Sequence, residues 1–205
     1  MTGYEYRRFA PGRSEVSTFE FHEHRERAPH IDQTIHQPRL YWALQYVIDA
    51  LVDRPHLSAP LRVVDLGCGD GGLISRLITH PNIDISGYDF QPSNEEGWLE
   101  RGVLFNCQRL NFVECWDDVA PADLYVITEV LEHLEEPYEM LRRIRARDAQ
   151  VVCSSPWMEH EGNIDGCHNW AWDMPGYVHM LEICGFRVVS SQREGIFQVH
   201  RAVPA

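Results

Sequence analysis

Val63-Val64-Asp65-Leu66-Gly67-Cys68-Gly69-Asp70-Gly71-Gly72 decides how the chain is read: a β-branched apolar run stops at an acid and is followed by four glycines. A strand buried on both faces of a parallel sheet shows a short apolar run rather than alternation. Glycines directly after it let the backbone bend tightly and approach a ligand with no Cβ in the way. The next residues, Gly72-Leu73-Ile74-Ser75-Arg76-Leu77-Ile78, space their apolar side chains for a helix whose first amide groups face the same turn.

Two cofactor classes use such a turn. Gly67, Gly69 and Gly72 fit G-x-G-x-x-G, a weak dinucleotide signal on its own. Asp65 is more specific, because a carboxylate at the strand tip repels a pyrophosphate and pairs with an ammonium group. A cationic cofactor is therefore favoured. Here the chain resembles the class I S-adenosylmethionine-dependent methyltransferases, whose first motif is similar to Asp65-Leu66-Gly67-Cys68-Gly69-Asp70-Gly71. The resemblance implies that Asp65, Gly67, Gly69 and Gly71 bind the cofactor.

Outward from the turn, Ile83 to Phe90 predicts a second strand ending in an acid. Asp89 lies seventeen residues past Gly72, where a carboxylate can accept both hydroxyls of an adenosine ribose, and Phe90 beside it is assigned to the same cofactor. Residues 93 to 101 predict a short helix and Val103-Leu104-Phe105 a third strand. The resembled family commonly places an aspartate after that strand to read the adenine amino group. This chain has Gln108-Arg109-Leu110-Asn111, so backbone groups and the apolar Leu110 are the expected adenine contacts. Asp123 to Ile127 and Val151 to Cys153 predict a fourth and a fifth strand, with a helix over 134–144 between them and Pro137 in its first turn. A helix over 174–184, closed by Gly185, precedes two strands, 186–190 and 196–202, whose short connection makes them antiparallel. The fold expected is α/β: a Rossmann-like, doubly wound, seven-stranded and mostly parallel sheet with a C-terminal antiparallel hairpin.

Residues 38–205 are read as the methyltransferase domain, opening on a helix in which Leu40, Tyr41, Leu44, Val47, Ile48 and Leu51 recur at helical spacing after Pro38. Residues 1–37 carry no sustained period and are read as an arm or lid. Their histidines, His22, His24, His30 and His36, are candidates to line a substrate pocket.

A second constellation, Glu129-Val130-Leu131-Glu132-His133, follows the fourth strand and so belongs at the carboxyl end of the sheet. On a helix, Glu129, Glu132 and His133 fall at i, i+3 and i+4 on one face. Two carboxylates and an imidazole so placed repel one another unless a cation sits between them. The pattern recurs in class I methyltransferases with no metal assigned, where the first acid borders the methionine moiety of the cofactor. With His168 as a fourth donor, the set resembles the metal-dependent small-RNA 3′-terminal 2′-O-methyltransferases and, more loosely, the ubiquinone-pathway O-methyltransferases. That resemblance implies that Glu129, Glu132, His133 and His168 hold a divalent ion: Mg²⁺ or Mn²⁺, or Zn²⁺ given two imidazoles. Without metal, His133 or His168 is the candidate general base.

Composition narrows the acceptor. Formal net charge is −13 and all 18 basic residues are arginine, without the basic stripe a polyanion needs, so RNA ranks below a small-molecule acceptor. The cluster Arg142-Arg143-Ile144-Arg145-Ala146-Arg147 reads as a solvated helix end whose cations complement the dipole. Trp157, Trp170 and Trp172 suggest a wall for a flat acceptor or pins for their loop. The six cysteines form no C-x-x-C pair, no apolar run approaches the roughly 18 residues of a membrane span, and the N-terminus lacks the apolar core of a signal peptide. A cytoplasmic protein with reduced thiols is expected. The competing classes are a nicotinamide oxidoreductase, disfavoured by Asp65 and the terminal hairpin, and a catalytically inert, methyltransferase-like binding subunit, disfavoured by the intact Asp65, Gly67, Gly69 and Asp89.

Overall fold

The computed structural model describes residues 3–27, 32–54 and 59–205, so His30 lies outside the described residues. In chain order the elements are β1 (Glu5–Arg7), α1 (Phe19–Glu23), α2 (Gln37–Val52), β2 (Leu61–Leu66), α3 (Gly72–Leu77), β3 (Ile83–Asp89) and α4 (Asn94–Glu100). They continue with β4 (Cys107–Arg109), β5 (Leu124–Thr128), α5 (Pro137–Ala146), β6 (Gln150–Pro156), β7 (Trp170–Trp172), α6 (Met174–Ile183), β8 (Phe186–Glu194) and β9 (Phe197–Pro204).

Seven strands form one sheet in the order β4-β3-β2-β5-β6-β9-β8. The pairs β4–β3, β3–β2, β2–β5 and β5–β6 are parallel, whereas β9 runs antiparallel to both β6 and β8. The terminal strands form a hairpin closed by Gly195 and Ile196, with Glu194 opposite Phe197. This is the sheet the sequence implies. The apolar runs of the central strands are buried on both faces because successive side chains point to opposite layers. Val63 of β2 and Leu124 and Val126 of β5 join Ala43, Val47, Leu73, Ile74 and Trp98 in the layer of α2, α3 and α4. Val64, Leu66, Tyr125 and Ile127 join Met140, Leu141, Ile144, Tyr177 and Leu181 in the layer of α5 and α6. Strand order reverses between β2 and β5, and the carboxyl ends there open a crevice.

Two local expectations change, and the arm and the tryptophans gain definition. The third strand lies at 107–109, not 103–105, because Leu104–Asn106 coils into a 3₁₀ turn that leaves Phe105 fully exposed. Glu129 to His133 does not begin an α-helix: Glu129 takes a left-handed φ of 57°, Leu131–His133 is a single 3₁₀ turn, and α5 starts only at Pro137. The N-terminal arm is ordered in part, since β1 pairs antiparallel with β7 to make a second, two-stranded sheet. Trp170 and Trp172 belong to β7, are buried with their rings stacked 5.6 Å apart, and pin that segment to the body.

Arg143, Arg145 and Arg147 of the arginine cluster act as clamps, whereas Arg142 is exposed. Arg145 donates to the Gly185 carbonyl (2.8 Å), and Arg143 to that of Val113 (2.7 Å). Arg147 donates to the carbonyls of Trp116 (2.9 Å) and Val119 (2.8 Å) and to Tyr125 Oη (2.7 Å), with its guanidinium 4.1 Å from the Trp116 ring centroid. Truncation leaves these half-buried acceptors unpaired. Arg147→Ala is expected to lower stability by about 2–4 kcal/mol, read as a lower urea midpoint at unchanged slope; a loss below about 0.5 kcal/mol would return Arg147 to the solvated class.

Candidate active site

The crevice at the switch point is a cavity of about 770 Å³. Its floor at one end is the glycine turn. Gly67 and Gly69 have φ of 74° and 54°; a Cβ on Gly67 would strike Val130 Cγ2 at 2.4 Å, and one on Gly69 would point into open space. Cys68, Asp70, Gly72 and Leu73 complete that floor. Gly71 is not part of the lining: a Cβ there would meet Val103 and Trp98, so its left-handed φ of 79° serves packing of the turn on α4.

The acids sit at three neighbouring strand ends. Asp65 near the end of β2 is 3% exposed, and burial pushes its carboxyl up to about 7 against the pull of Arg39, with Asp89 raising it further. Asp89 ends β3; its Oδ2 accepts from the Gly69 N–H (2.9 Å) and its Oδ1 from that of Gln91 (2.9 Å). The Asn94 side chain and the Phe90 backbone N–H favour its ionised form as well. Glu129, just past β5, lines the cavity and accepts from Ser154 Oγ at 2.7 Å. Burial raises the carboxyl pKa of both Asp89 and Glu129.

Arg39, on α2, is the cation among them and was not singled out from the sequence, where it reads as a polar residue on an apolar helix. It is 3% exposed, donates through Nη1 to Thr128 Oγ1 (2.9 Å), and favours the ionised forms of Asp65 and Glu129. Its Nε is buried with no hydrogen-bond partner. Asn111, Phe112 and Val113 form the wall expected of Leu110, which instead packs against the core. Phe90 lines the cavity, as do His22 and His36; His24 is exposed outside it.

The opposite end holds the histidines. His168 Nδ1 lies 2.7 Å from Glu159 Oε2; a carboxylate only accepts, so Nδ1 carries the proton and Nε2 keeps its lone pair. Glu159, nine residues earlier in the same loop, was also missed, because an acid in a charged loop signals nothing without the fold. His133 Nδ1 lies 3.1 Å from the Cys167 carbonyl and 3.0 Å from Ser17 Oγ, which assigns the same tautomer. The His133 and His168 rings meet edge to face with centroids 4.6 Å apart. Burial, with His168 next, holds the His133 imidazole well below its usual range. His22 reaches in from the arm: Arg25 donates to its Nδ1 (3.3 Å) and its Nε2 faces Ser17 Oγ at 2.5 Å. Burial and then Arg25 keep His22 neutral, with its pKa lowered to about 4.

Of the four residues grouped as a metal set, the structure brings His133 and His168 together and not the two acids with them. Among the described residues, the side chains close enough to share an ion are His133, Cys167 and His168. Glu132 is 1% exposed, lies outside the cavity lining, and has no hydrogen-bond partner on either carboxyl oxygen. Burial and the neighbouring Glu129 push its pKa well up. Trp157, Trp170 and Trp172 do not line the cavity either; its apolar wall is Leu134, Pro156, Met158, Ile196 and Phe197.

Residues 38–189 match a family described as a methyltransferase domain. The chain belongs to that methyltransferase family. A trans-aconitate 2-methyltransferase of Mycobacterium sp. (strain KMS) is 32% identical over 119 residues, 56% of this chain and 44% of that protein. A ubiquinone biosynthesis O-methyltransferase of Rickettsia bellii (strain OSU 85-389) is 26% identical over 117 residues, 53% of this chain and 48% of that one. The matched stretch spans less than half the length of these curated relatives. In fold, the chain resembles the magnesium protoporphyrin IX methyltransferase of Synechocystis PCC 6803 solved with S-adenosylhomocysteine: TM-score 0.63, 18% identity, covering 83% of this chain and 84% of that one. It also resembles the 1,6-didemethyltoxoflavin-N1-methyltransferase of Burkholderia thailandensis: TM-score 0.58, 18% identity, covering 87% of this chain and 91% of that one.

The raised pKa of Asp65 carries a stability consequence for this methyltransferase domain. A carboxyl near 3.8 unfolded and about 7 folded favours the fold fully below pH 4, and that contribution is lost as pH rises through 7. Asp65→Asn removes this titration. In thermal melts without ligand, the variant is expected to gain on the wild type between pH 4 and 8; parallel melting curves over that range would show that Asp65 ionises without cost.

Proposed function

We propose that the chain is an S-adenosylmethionine-dependent methyltransferase acting on oxygen of a small-molecule acceptor. The observation that carries the reading is one continuous cavity with a glycine floor and buried Asp65 at one end and the Glu159–His168 pair at the other. Family membership supports it, as do cofactor-bound structures of the same fold and relatives named for O-methylation.

Gly67 and Gly69 lie against the cofactor, Asp89 accepts the ribose hydroxyls, and Phe90, Asn111 and Val113 flank the adenine. Asp65 and Glu129 face the cationic methionine end, and Arg39, which lines the same cavity, pairs with its carboxylate. A cationic ligand lowers the cost of keeping Asp65 ionised, since it supplies the charge that burial removes from water. The cofactor's sulfonium provides an activated methyl group. The protein has to bring an acceptor oxygen in line with it and take up its proton. His168 is the general base: Nε2 receives the acceptor proton while Glu159 holds Nδ1–H and stabilises the imidazolium. His133 shapes the same end. Met158, Ile196 and Phe197 offer an apolar face to a flat or apolar acceptor. Residues 1–37 act as the arm over this site and 38–205 as the catalytic domain, a division supported by the family match beginning at residue 38. Six free cysteines support a reducing, cytoplasmic setting. Among the described residues no helix is long and apolar enough to cross a membrane, and no basic stripe supports a nucleic-acid substrate.

The site as found does not present the oxygen-rich donor set of a Mg²⁺ centre, and no step here runs through an ion. Calorimetric titration with S-adenosylhomocysteine tests the reading: micromolar binding is expected, weakened about tenfold or more by Asp89→Ala, with NAD giving no heat. Absence of S-adenosylhomocysteine binding overturns it. Against an accepted substrate, His168→Gln is expected to lower kcat by about 10²–10⁴ with cofactor affinity unchanged; full activity would remove His168 as the base.

A further inference from the structure

We infer that His133, Cys167 and His168 form a site for a divalent cation of borderline softness, of the zinc class, with Glu129 and Glu132 outside its ligand set. The inference stands on side-chain geometry; only its bearing on the reaction rests on the methyl-transfer reading above.

One ligand atom from each of the three residues lies within 4.8 Å of the other two. Each imidazole has its Nδ1 proton committed, His133 to the Cys167 carbonyl at 3.1 Å and His168 to Glu159 at 2.7 Å, so Nε2 is the nitrogen left with a lone pair. A carboxylate holding the far nitrogen of a histidine is the outer partner that zinc-ligating imidazoles use to fix tautomer and ring orientation. Two imidazoles and a sulfur suit Zn²⁺ and the borderline transition metals, whereas Mg²⁺ takes oxygen. All three residues line the cavity, so a fourth coordination position would open onto it, as in zinc sites with three protein ligands.

The two loops that meet here are fastened before any ion arrives. The Asn169 N–H donates to the Glu132 carbonyl (2.7 Å) and Asn169 Nδ2 to that of His133 (2.7 Å). The thiol of Cys167, which rests 3.0 Å from Asp165 Oδ1, releases its proton to solvent on binding. The site is then one thiolate and two neutral imidazoles. Because the ion takes the His168 lone pair that the base uses, ion binding and base catalysis at His168 exclude one another.

The test uses the full chain, stripped with chelator and titrated with Co²⁺ alone. One equivalent is expected to bind, with a near-ultraviolet thiolate-to-cobalt charge-transfer band that Zn²⁺ bleaches. Cys167→Ser is expected to abolish the band and weaken binding by about tenfold or more, and Glu159→Gln to weaken it by about tenfold with the band retained. Glu132→Gln and Glu129→Gln are expected to keep both band and stoichiometry. Far-ultraviolet circular dichroism checks that each variant is folded. No binding, binding without the band, a band that survives Cys167→Ser, or greater loss in Glu129→Gln or Glu132→Gln than in Cys167→Ser would each overturn the site. S-adenosylhomocysteine titration of the same samples separates the two readings: binding of the nucleoside without Co²⁺ overturns the ion site alone, and the reverse overturns the methyl-transfer reading alone.

Discussion

Three carboxyls, Asp65, Asp89 and Glu129, are brought to adjacent strand ends, and among the described residues Arg39 is the buried cation that offsets Asp65 and Glu129. Much of the surrounding structure answers that constraint. Asp89 is held by the N–H groups of Gly69 and Gln91, Glu129 by the Ser154 hydroxyl, and the glycine turn exposes backbone donors where a side chain would crowd them out. Asp65 is left with burial raising its pKa to about 7, a site poised between neutral and charged forms. An apolar residue there would cost less, so Asp65 is held at the expense of stability.

Helix α2 delivers that offsetting charge. Its apolar face of Ala43, Val47 and Ala50 seats it over β5, β6 and β9, and that docking carries Arg39, in its first turn, to Thr128 at the end of β5. The arm extends the same logic along the rim. Asp70 of the glycine turn pairs with Arg101 (2.6 Å) and with Arg27 of the arm (3.6 Å), and Gln91, just past β3, donates to the Glu26 carbonyl (3.1 Å). Residues that follow β2 and β3 therefore also place His22 and Ser17 over the cavity.

The sheet was legible because each central strand is a short apolar run bounded by a turn signal, and because the final pair lies too close in sequence for a crossover. Local periodicity fails where tertiary contacts decide the backbone. Glu129 takes a left-handed φ that no helical pattern announces, so the acids spaced for a helix face do not share one. The strand assigned to 103–105 moves because Val103 is needed in the core against Gly71, leaving the chain to coil before it pairs. In the site, Gly67, Gly69 and Asp89 announce themselves by their distance from a strand end. Arg39, Glu159 and Cys167 do not, since their meaning lies in contacts across 89, 9 and 34 residues: with Thr128, His168 and His133.

The histidine end depends on a different kind of constraint, the joining of two otherwise weak segments. The loop between β6 and β7 has little core of its own, and among the described residues β1 pairs as a strand with β7 alone. Each orders the other: Arg8 donates to the carbonyls of Asp165 and Gly166, Ser14 Oγ lies 2.6 Å from Asn169 Oδ1, and Tyr4 N–H donates to Asp173 Oδ1 at the start of α6. Asn169 then passes that order inward to the carbonyls of Glu132 and His133. Arm contacts thus reach His168, Cys167 and His133 through Asn169 and the Asp165–Gly166 carbonyls, while Asp65 sits on the central sheet and Arg39 on α2.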